Sequence, residues 1–216
     1  TIFDEGDTKT SRLRSRSIAR KYSGRPRLTS LANGPCSMFH RDALIDVGGF
    51  DPDWYHAEDM EVSLRLLQTG GVIVYTPTAV VHHVAESSLK LFLKKRSRDA
   101  RAHMRIRRNY GRHGVRKPNG HIHFHDFVSD AQEVVWMLPT ALSGMSLAIA
   151  IMCWWSVGTP VWWMASTTAM IWTLLYVSRI HQLLWSGALW YGAVLGVLDA
   201  LFGRHGHSRI FSSKKR

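Results

Sequence analysis

An α/β domain followed by α-helical membrane segments is the fold class this sequence predicts. Three observations carry it. Short β-branched runs alternate with helical periodicity up to about residue 85, a block of basic residues follows, and the stretch from Val134 to Val177 holds no charged residue. These shifts divide the chain into an α/β part over 1–85, a basic juxtamembrane helix and linker over 86–132, apolar helices over 133–202 and a basic tail over 203–216.

Taken in order, residues 1–30 scatter eight Lys and Arg among Ser, Thr and Gly, with little hydrophobic periodicity, and read as a surface segment. Asn33-Gly34-Pro35 marks a turn, Cys36 to Phe39 fits a short buried strand, and Arg41 to Val47 a short helix stopped by Gly48-Gly49. From Glu58 to Thr69, Met60, Leu64 and Leu67 fall at i, i+4 and i+7, so they share one helical face, and Gly70-Gly71 supplies the stop. Val72 to Tyr75 and Ala79 to Val81 then read as two buried strands, turned by Thr76-Pro77, the second ending at His82-His83.

Ser87 to Arg112 predicts a helix, and residues 86–117 carry twelve Lys and Arg against two acids, Glu86 and Asp99. Leu89, Phe92, Leu93, Ala100 and Met104 form a partial apolar stripe, which suits a helix lying at the headgroup level with its cations toward anionic lipid. A solvated basic helix packed on the preceding domain fits the same residues.

Val134 to Val157 is long enough to span a bilayer, at about 1.5 Å per residue, and Val161 to Val177 is at the short limit. The pair reads as a hairpin turning at Gly158-Thr159-Pro160, with Trp154, Trp155, Trp162 and Trp163 at the water interface. The turn lacks Lys and Arg while the preceding segment is rich in them, so the polar part is expected in the cytoplasm. Leu183 to Phe202 is weakened by Gly187, Gly192, Gly196 and Asp199 and precedes a basic tail, so an interfacial or re-entrant third helix is favoured over a span.

Composition excludes some classes. The net charge of +12 sits beside apolar spans without a recognition module, which argues against nucleic acid. Cys36 and Cys153 fall in a loop and an apolar span, so neither a disulfide framework nor a Cys-based zinc site is expected. The chain opens at Thr1 without a signal peptide and reads as a piece of a longer protein.

The chemistry-bearing series is Gly48-Gly49-Phe50-Asp51, then Glu58-Asp59, Arg65, Gly70, Pro77 and His83, with Trp54 and Tyr55 in the loop between the first two. On its own, an acidic pair at a helix start is a capping feature. The ordered series over about residues 33–84 resembles the C-terminal half of the catalytic domain of family 2 glycosyltransferases, which have the GT-A fold and invert the anomeric centre. The resemblance implies that a carboxylate of the pair is the general base toward the acceptor hydroxyl, Asp59 before Glu58. It implies that His83 helps bind a divalent cation, Mg²⁺ or Mn²⁺, with the imidazole favouring Mn²⁺. It also implies a nucleotide-sugar donor and a glycan or lipid-linked acceptor at a membrane surface.

The chemistry asks for such groups. An aspartate is ionised near neutral pH and can take a proton as the hydroxyl attacks, and a cation neutralises the departing diphosphate. The loop from Asn33 to Phe39, through Gly34, and the aromatic pair Trp54-Tyr55 are expected to line the acceptor site, since ring faces stack on sugars. Arg65 is read as a structural ion-pairing residue.

Two departures from the family pattern stand out. Asp4 precedes Asp59 by only 55 residues, too few for the family's DxD motif, so Asp4-Glu5-Gly6-Asp7 is read as a loop and the donor-binding half is expected upstream. The Gln-x-x-Arg-Trp signature of processive synthases does not follow His83, which points to single addition, and the chain as given is expected to be inactive. His121, His123 and His125 alternate beside Asp126 and are read as polar residues near the interface rather than a metal site. A noncatalytic membrane scaffold binding anionic lipid is the competing reading.

Overall fold

The computed structural model describes residues 2–5, 7–32, 34–54, 56–111, 115–116, 122–123, 132–154 and 161–203. Asn33, Tyr55, His121, His125, Asp126, the turn at Gly158 to Pro160 and the basic tail lie outside the described residues.

Strand β1 (Ile2–Glu5) pairs in parallel with β4 (Val81–Val84), in a register that sets Asp4 opposite His83. Asp4 and Glu5 are therefore strand residues, which corrects the loop expected there. Helix α1 (Lys9–Tyr22) folds back on β1 and corrects the reading of residues 1–30 as a surface segment. A capping box starts it: Thr8 Oγ1 accepts from the Ser11 amide at 3.1 Å, and Ser11 Oγ accepts from the Thr8 amide at 2.9 Å. Its inner face is built from Thr10, Ser11, Ser17 and Ile18. Three of those four are hydroxyl residues, so no apolar stripe announces the helix.

β2 (Leu28–Thr29) pairs antiparallel with β3 (Ile73–Val74). The expected strand over Cys36 to Phe39 is replaced by a 3₁₀ turn, Gly34–Cys36, and by irregular chain in which Met38 is 98% exposed. The two strands expected to be buried are not. Val72 and Val74 are largely open to solvent and Val84 is 85% exposed, and β3 and β4 belong to different sheets.

α2 (Arg41–Asp46) ends where expected: Gly48 and Gly49 have φ of +81° and +72°, and their amides donate to the Ile45 and Leu44 carbonyls. α3 (Glu58–Gln68) buries Met60, Leu64 and Leu67 as its periodicity predicts, and Val62 as well. A Cβ at Gly71 would lie 2.6 Å from the Leu66 carbonyl oxygen, so the chain can turn away there only without a side chain.

α4 (Leu89–Tyr110) is the spine of the structure, about 33 Å long at 1.5 Å per residue. Ile106 joins Trp54, Met60, Leu64 and Leu67 in one core. Phe92, near the other end, joins Val134 and Trp185 in a second, meeting the indole edge-on at 5.1 Å.

β5 (Val115–Arg116) and β6 (Ile122–His123) form a third two-stranded sheet. α5 (Gln132–Val135), α6 (Met137–Trp154), α7 (Val161–Val177) and α8 (Ile180–Leu201) follow. α6 and α7 pack together, with Thr140 Oγ1 2.8 Å from the Tyr176 hydroxyl. Ser186 Oγ accepts from the Leu138 amide at 3.0 Å and donates to the Val135 carbonyl at 2.9 Å, fastening α8 to the start of α6.

α4 and α8 lie against each other over most of their lengths. A Cβ at Gly192 would fall 2.0 Å from the Ser97 carbonyl oxygen, and one at Gly196 2.6 Å from Met104 Cβ. Asp199 accepts from Arg101 through both carboxylate oxygens, at 2.5 and 2.6 Å. The glycines and the acid that weaken α8 as a span are thus its contact face for α4. The apolar stripe of α4, expected to meet lipid, is covered by protein at Phe92, Ala100 and Met104.

The described residues are mostly helical, with short strands in three two-stranded sheets. Among them one helix, α8, is both long and apolar enough to cross a membrane.

Candidate active site

The acidic pair opens α3 from a constrained entry. His56 and Ala57, both with a Cβ, sit in the left-handed region at φ +75° and +61°, each costing on the order of 1–3 kcal/mol unless its surroundings fix it. Ala57, the residue before the helix, offers no side-chain cap. The orphan amides of the first turn are left to the acids that follow.

Asp59 takes up that role. Its Oδ1 accepts from the Met60 amide at 2.8 Å and its Oδ2 from the Gly34 amide at 3.0 Å, so its charge rests on backbone N–H groups at the positive end of the helix. Ser63 completes the strap: its hydroxyl accepts from the Ala32 amide at 3.0 Å and donates to the Asp59 carbonyl at 2.5 Å. Ala32 and Gly34 are therefore held on the first turn of α3. Gly34, expected to line the acceptor site, and Asp59, expected as the base, lie within hydrogen-bond distance of each other. Ser63 went unnoticed in the sequence, since a serine one turn into a helix carries no spacing signal.

Glu58 is exposed and Asp59 partly so. Glu61 differs. It is 4% exposed, receives Arg65 Nε and Nη2 at 2.7 and 2.6 Å, and accepts from the Tyr110 hydroxyl at 2.5 Å. Burial and the Glu61 charge push the Tyr110 phenol above its ordinary range, so it stays a donor. Arg65 also donates to the Val47 carbonyl and is a structural ion-pairing residue.

Trp54 departs from the acceptor-lining role expected of it. The indole is 5% exposed within the core, and the Arg105 guanidinium covers its ring at 3.9 Å from the centroid. A packed ring capped by a cation presents no face to a sugar. Tyr55 lies outside the described residues. His83 is exposed on β4, in the β1–β4 sheet and not the β2–β3 sheet, with His82 as its neighbour on the alternate face.

A model of the family described as Glycosyl transferase family group 2 matches residues 8–197, from the cap of α1 nearly to the end of α8. The chain belongs to that family. The match takes in the helices after α3 as well as the acidic pair, so α4 to α8 belong to the family pattern.

Curated relatives include N-acetylglucosaminyl-diphospho-decaprenol L-rhamnosyltransferase from two strains of Mycobacterium tuberculosis. Each is 40% identical over 58 residues, covering 26% of this chain and 19% of the relative. The chain thus aligns with about a fifth of the length of these relatives. No solved structure matches it.

Family 2 glycosyltransferases commonly use divalent cations, and the GT-A fold goes with the family. Among the described residues, no group of three His, Cys, Asp or Glu side chains is gathered to hold a metal ion. His83 offers an exposed imidazole on β4.

Proposed function

We propose that this chain supplies the acceptor-side part of a membrane-anchored, inverting glycosyltransferase, with Asp59 as general base. The observation that carries the reading is the setting of Asp59. Its carboxylate is partly accessible and, among the described residues, accepts from two backbone amides, which supports the approach of a hydroxyl over Gly34.

The acceptor hydroxyl attacks the anomeric carbon of a nucleotide-diphosphate sugar as the bond to the diphosphate breaks on the opposite face. Its proton passes to Asp59, and the anomeric configuration inverts without a covalent enzyme intermediate. Glu58, more exposed and one residue earlier, contributes negative potential at the mouth of the site. A divalent cation, when bound, neutralises the departing diphosphate. His83 is the residue of this chain proposed to hold it.

The relatives' name specifies a sugar linked through diphosphate to a polyprenol, and an acceptor of that class suits a chain rich in apolar helices. Exposed apolar residues on α6 (Leu142, Met145, Ile149) and α7 (Met170, Ile171, Leu174) support anchoring as a hairpin. α8, held along α4 by its glycines and Asp199, fits an interfacial position, with the exposed Lys90, Lys94, Arg107 and Arg108 of α4 on the cytoplasmic side available to anionic headgroups.

The test is transfer of labelled sugar by membranes containing the full-length protein. Asp59→Asn should lower the rate about a hundredfold or more, and His83→Ala should raise the cation concentration needed for half-maximal transfer. Undiminished transfer by Asp59→Asn would remove the base from this mechanism.

A further inference from the structure

The loop that delivers the acidic pair is gripped by α4 from both sides of its turn. Ahead of the turn, Arg105 covers the Trp54 ring and its Nη1 donates to the Asp53 carbonyl at 3.3 Å. Within it, the His56 imidazole bonds through Nε2 to Asp99 Oδ1, 43 residues further on. The other Asp99 oxygen is held by Arg96 Nη2 at 3.0 Å, one turn back on α4, and His103 lies one turn ahead. Burial opposes ionisation of Asp99, but the Arg96 charge and the His56 hydrogen bond outweigh it and hold its pKa below the ordinary carboxylate range. His56 and Ala57 keep positive φ without being glycine, which requires surroundings that over-determine the turn. Asp99 supplies such a constraint from outside the loop, beside that of Arg105.

We propose that Asp99 and His56 are positioning residues: the Asp99 carboxylate on α4 holds the His56 imidazole, and through the turn it fixes, the orientation of Asp59 toward the acceptor. Two residues separate His56 from Asp59, so rotation of the turn reaches the base almost undiminished. α4 is itself clamped to α8 by Arg101 and Asp199 two residues beyond Asp99. The geometry of the base is thereby tied to the helix pair that faces the membrane. This inference rests on the reading of Asp59 as the base.

The experiment compares His56→Ala, His56→Gln and Asp99→Asn with the parent in the full-length transferase, in membranes, reading kcat and the donor and acceptor KM separately. A glutamine amide reaches about as far as imidazole Nε2 and restores a donor to Asp99. His56→Ala and Asp99→Asn are expected to lower kcat about ten- to a hundredfold with donor KM within twofold, since misplacement of about 1 Å costs on that scale. His56→Gln should recover most of the loss. The double variant His56→Ala/Asp99→Asn should fall no further than either single, because one link is broken in each.

Parent-like kcat in His56→Ala and Asp99→Asn overturns the proposal, as does equal loss in His56→Gln and His56→Ala. If His56→Ala fails to accumulate, Asp99→Asn decides alone by the same split. Asp59→Asn runs alongside. A dead Asp59→Asn beside active Asp99→Asn refutes the positioning role only, whereas an active Asp59→Asn refutes the base and the inference with it.

Discussion

Helix α3 carries Glu58 and Asp59 at its opening and Glu61 in the turn they begin, and the two places treat negative charge differently. Glu61 is closed in by side chains, with two donors from Arg65 and one from Tyr110. Among the described residues Asp59 accepts from the amides of Gly34 and Met60, and Glu58 stands open to solvent. A carboxylate surrounded by side-chain donors is fixed and cannot take up a proton without breaking the core. One resting on backbone N–H groups at a helix start keeps lone pairs for an incoming hydroxyl. Type and spacing of residues are nearly the same in both places; the difference lies in what surrounds them.

Glu61→Ala should sharpen the contrast most. Removing one partner of a buried ion pair strands Arg65 and leaves the Tyr110 hydroxyl without its acceptor, costing about 3–5 kcal/mol. Chemical unfolding of the protein in detergent should show that loss, while Asp59→Asn should shift stability by less than about 1 kcal/mol despite its effect on transfer.

Acid provides the next largest effect. Enclosure, against the pull of Asp99, pushes the His103 imidazole down to about 4 from its ordinary 6.5. Between those values the unfolded chain binds a proton that the folded chain refuses, so stability is full above pH 6.5 and declines as pH falls toward 4, by roughly 1–3 kcal/mol. Asp99, whose folded pKa is depressed, contributes above its unfolded value and loses that contribution only on further acidification. Thermal unfolding across pH 7 to 4 checks the order, and His103→Phe should flatten the upper part of the decline.

Tyr110→Phe removes one hydrogen bond to the buried Glu61 and should cost about 1–2 kcal/mol with transfer unchanged. Smallest of all, Glu58→Gln should alter transfer less than about threefold, as expected of an exposed charge that contributes only potential. A larger loss in Glu58→Gln than in Asp59→Asn would reverse their roles.

What the sequence revealed, and what it concealed, follows from the same distinction. Met60, Leu64 and Leu67 advertised α3 by their spacing, and Gly48-Gly49 marked the end of α2 by the backbone angles they permit. α1 stayed hidden because Thr10, Ser11 and Ser17 form most of its inner face. The two jobs of α4 were hidden because its buried residues serve separate cores at its two ends. Gly34 was expected to line the acceptor site because it permits close backbone approach, but its bond to Asp59 shows only in the fold, whereas Arg65 as an ion-pairing residue was legible from its position on the helix. Trp54 was drawn toward the acceptor by its chemistry, yet only tertiary packing reveals that Arg105 already covers it. The contact between His56 and Asp99 obeys no local period, and nothing short of the fold brings them together.

The most direct test of the base is an experimental structure of the full-length transferase with an acceptor and an unreactive donor analogue bound. The account predicts an acceptor hydroxyl within about 2.6–3.2 Å of an Asp59 carboxylate oxygen, in line with the anomeric carbon. An acceptor hydroxyl directed at another carboxylate, with Asp59 turned away from the bound sugar, would contradict it.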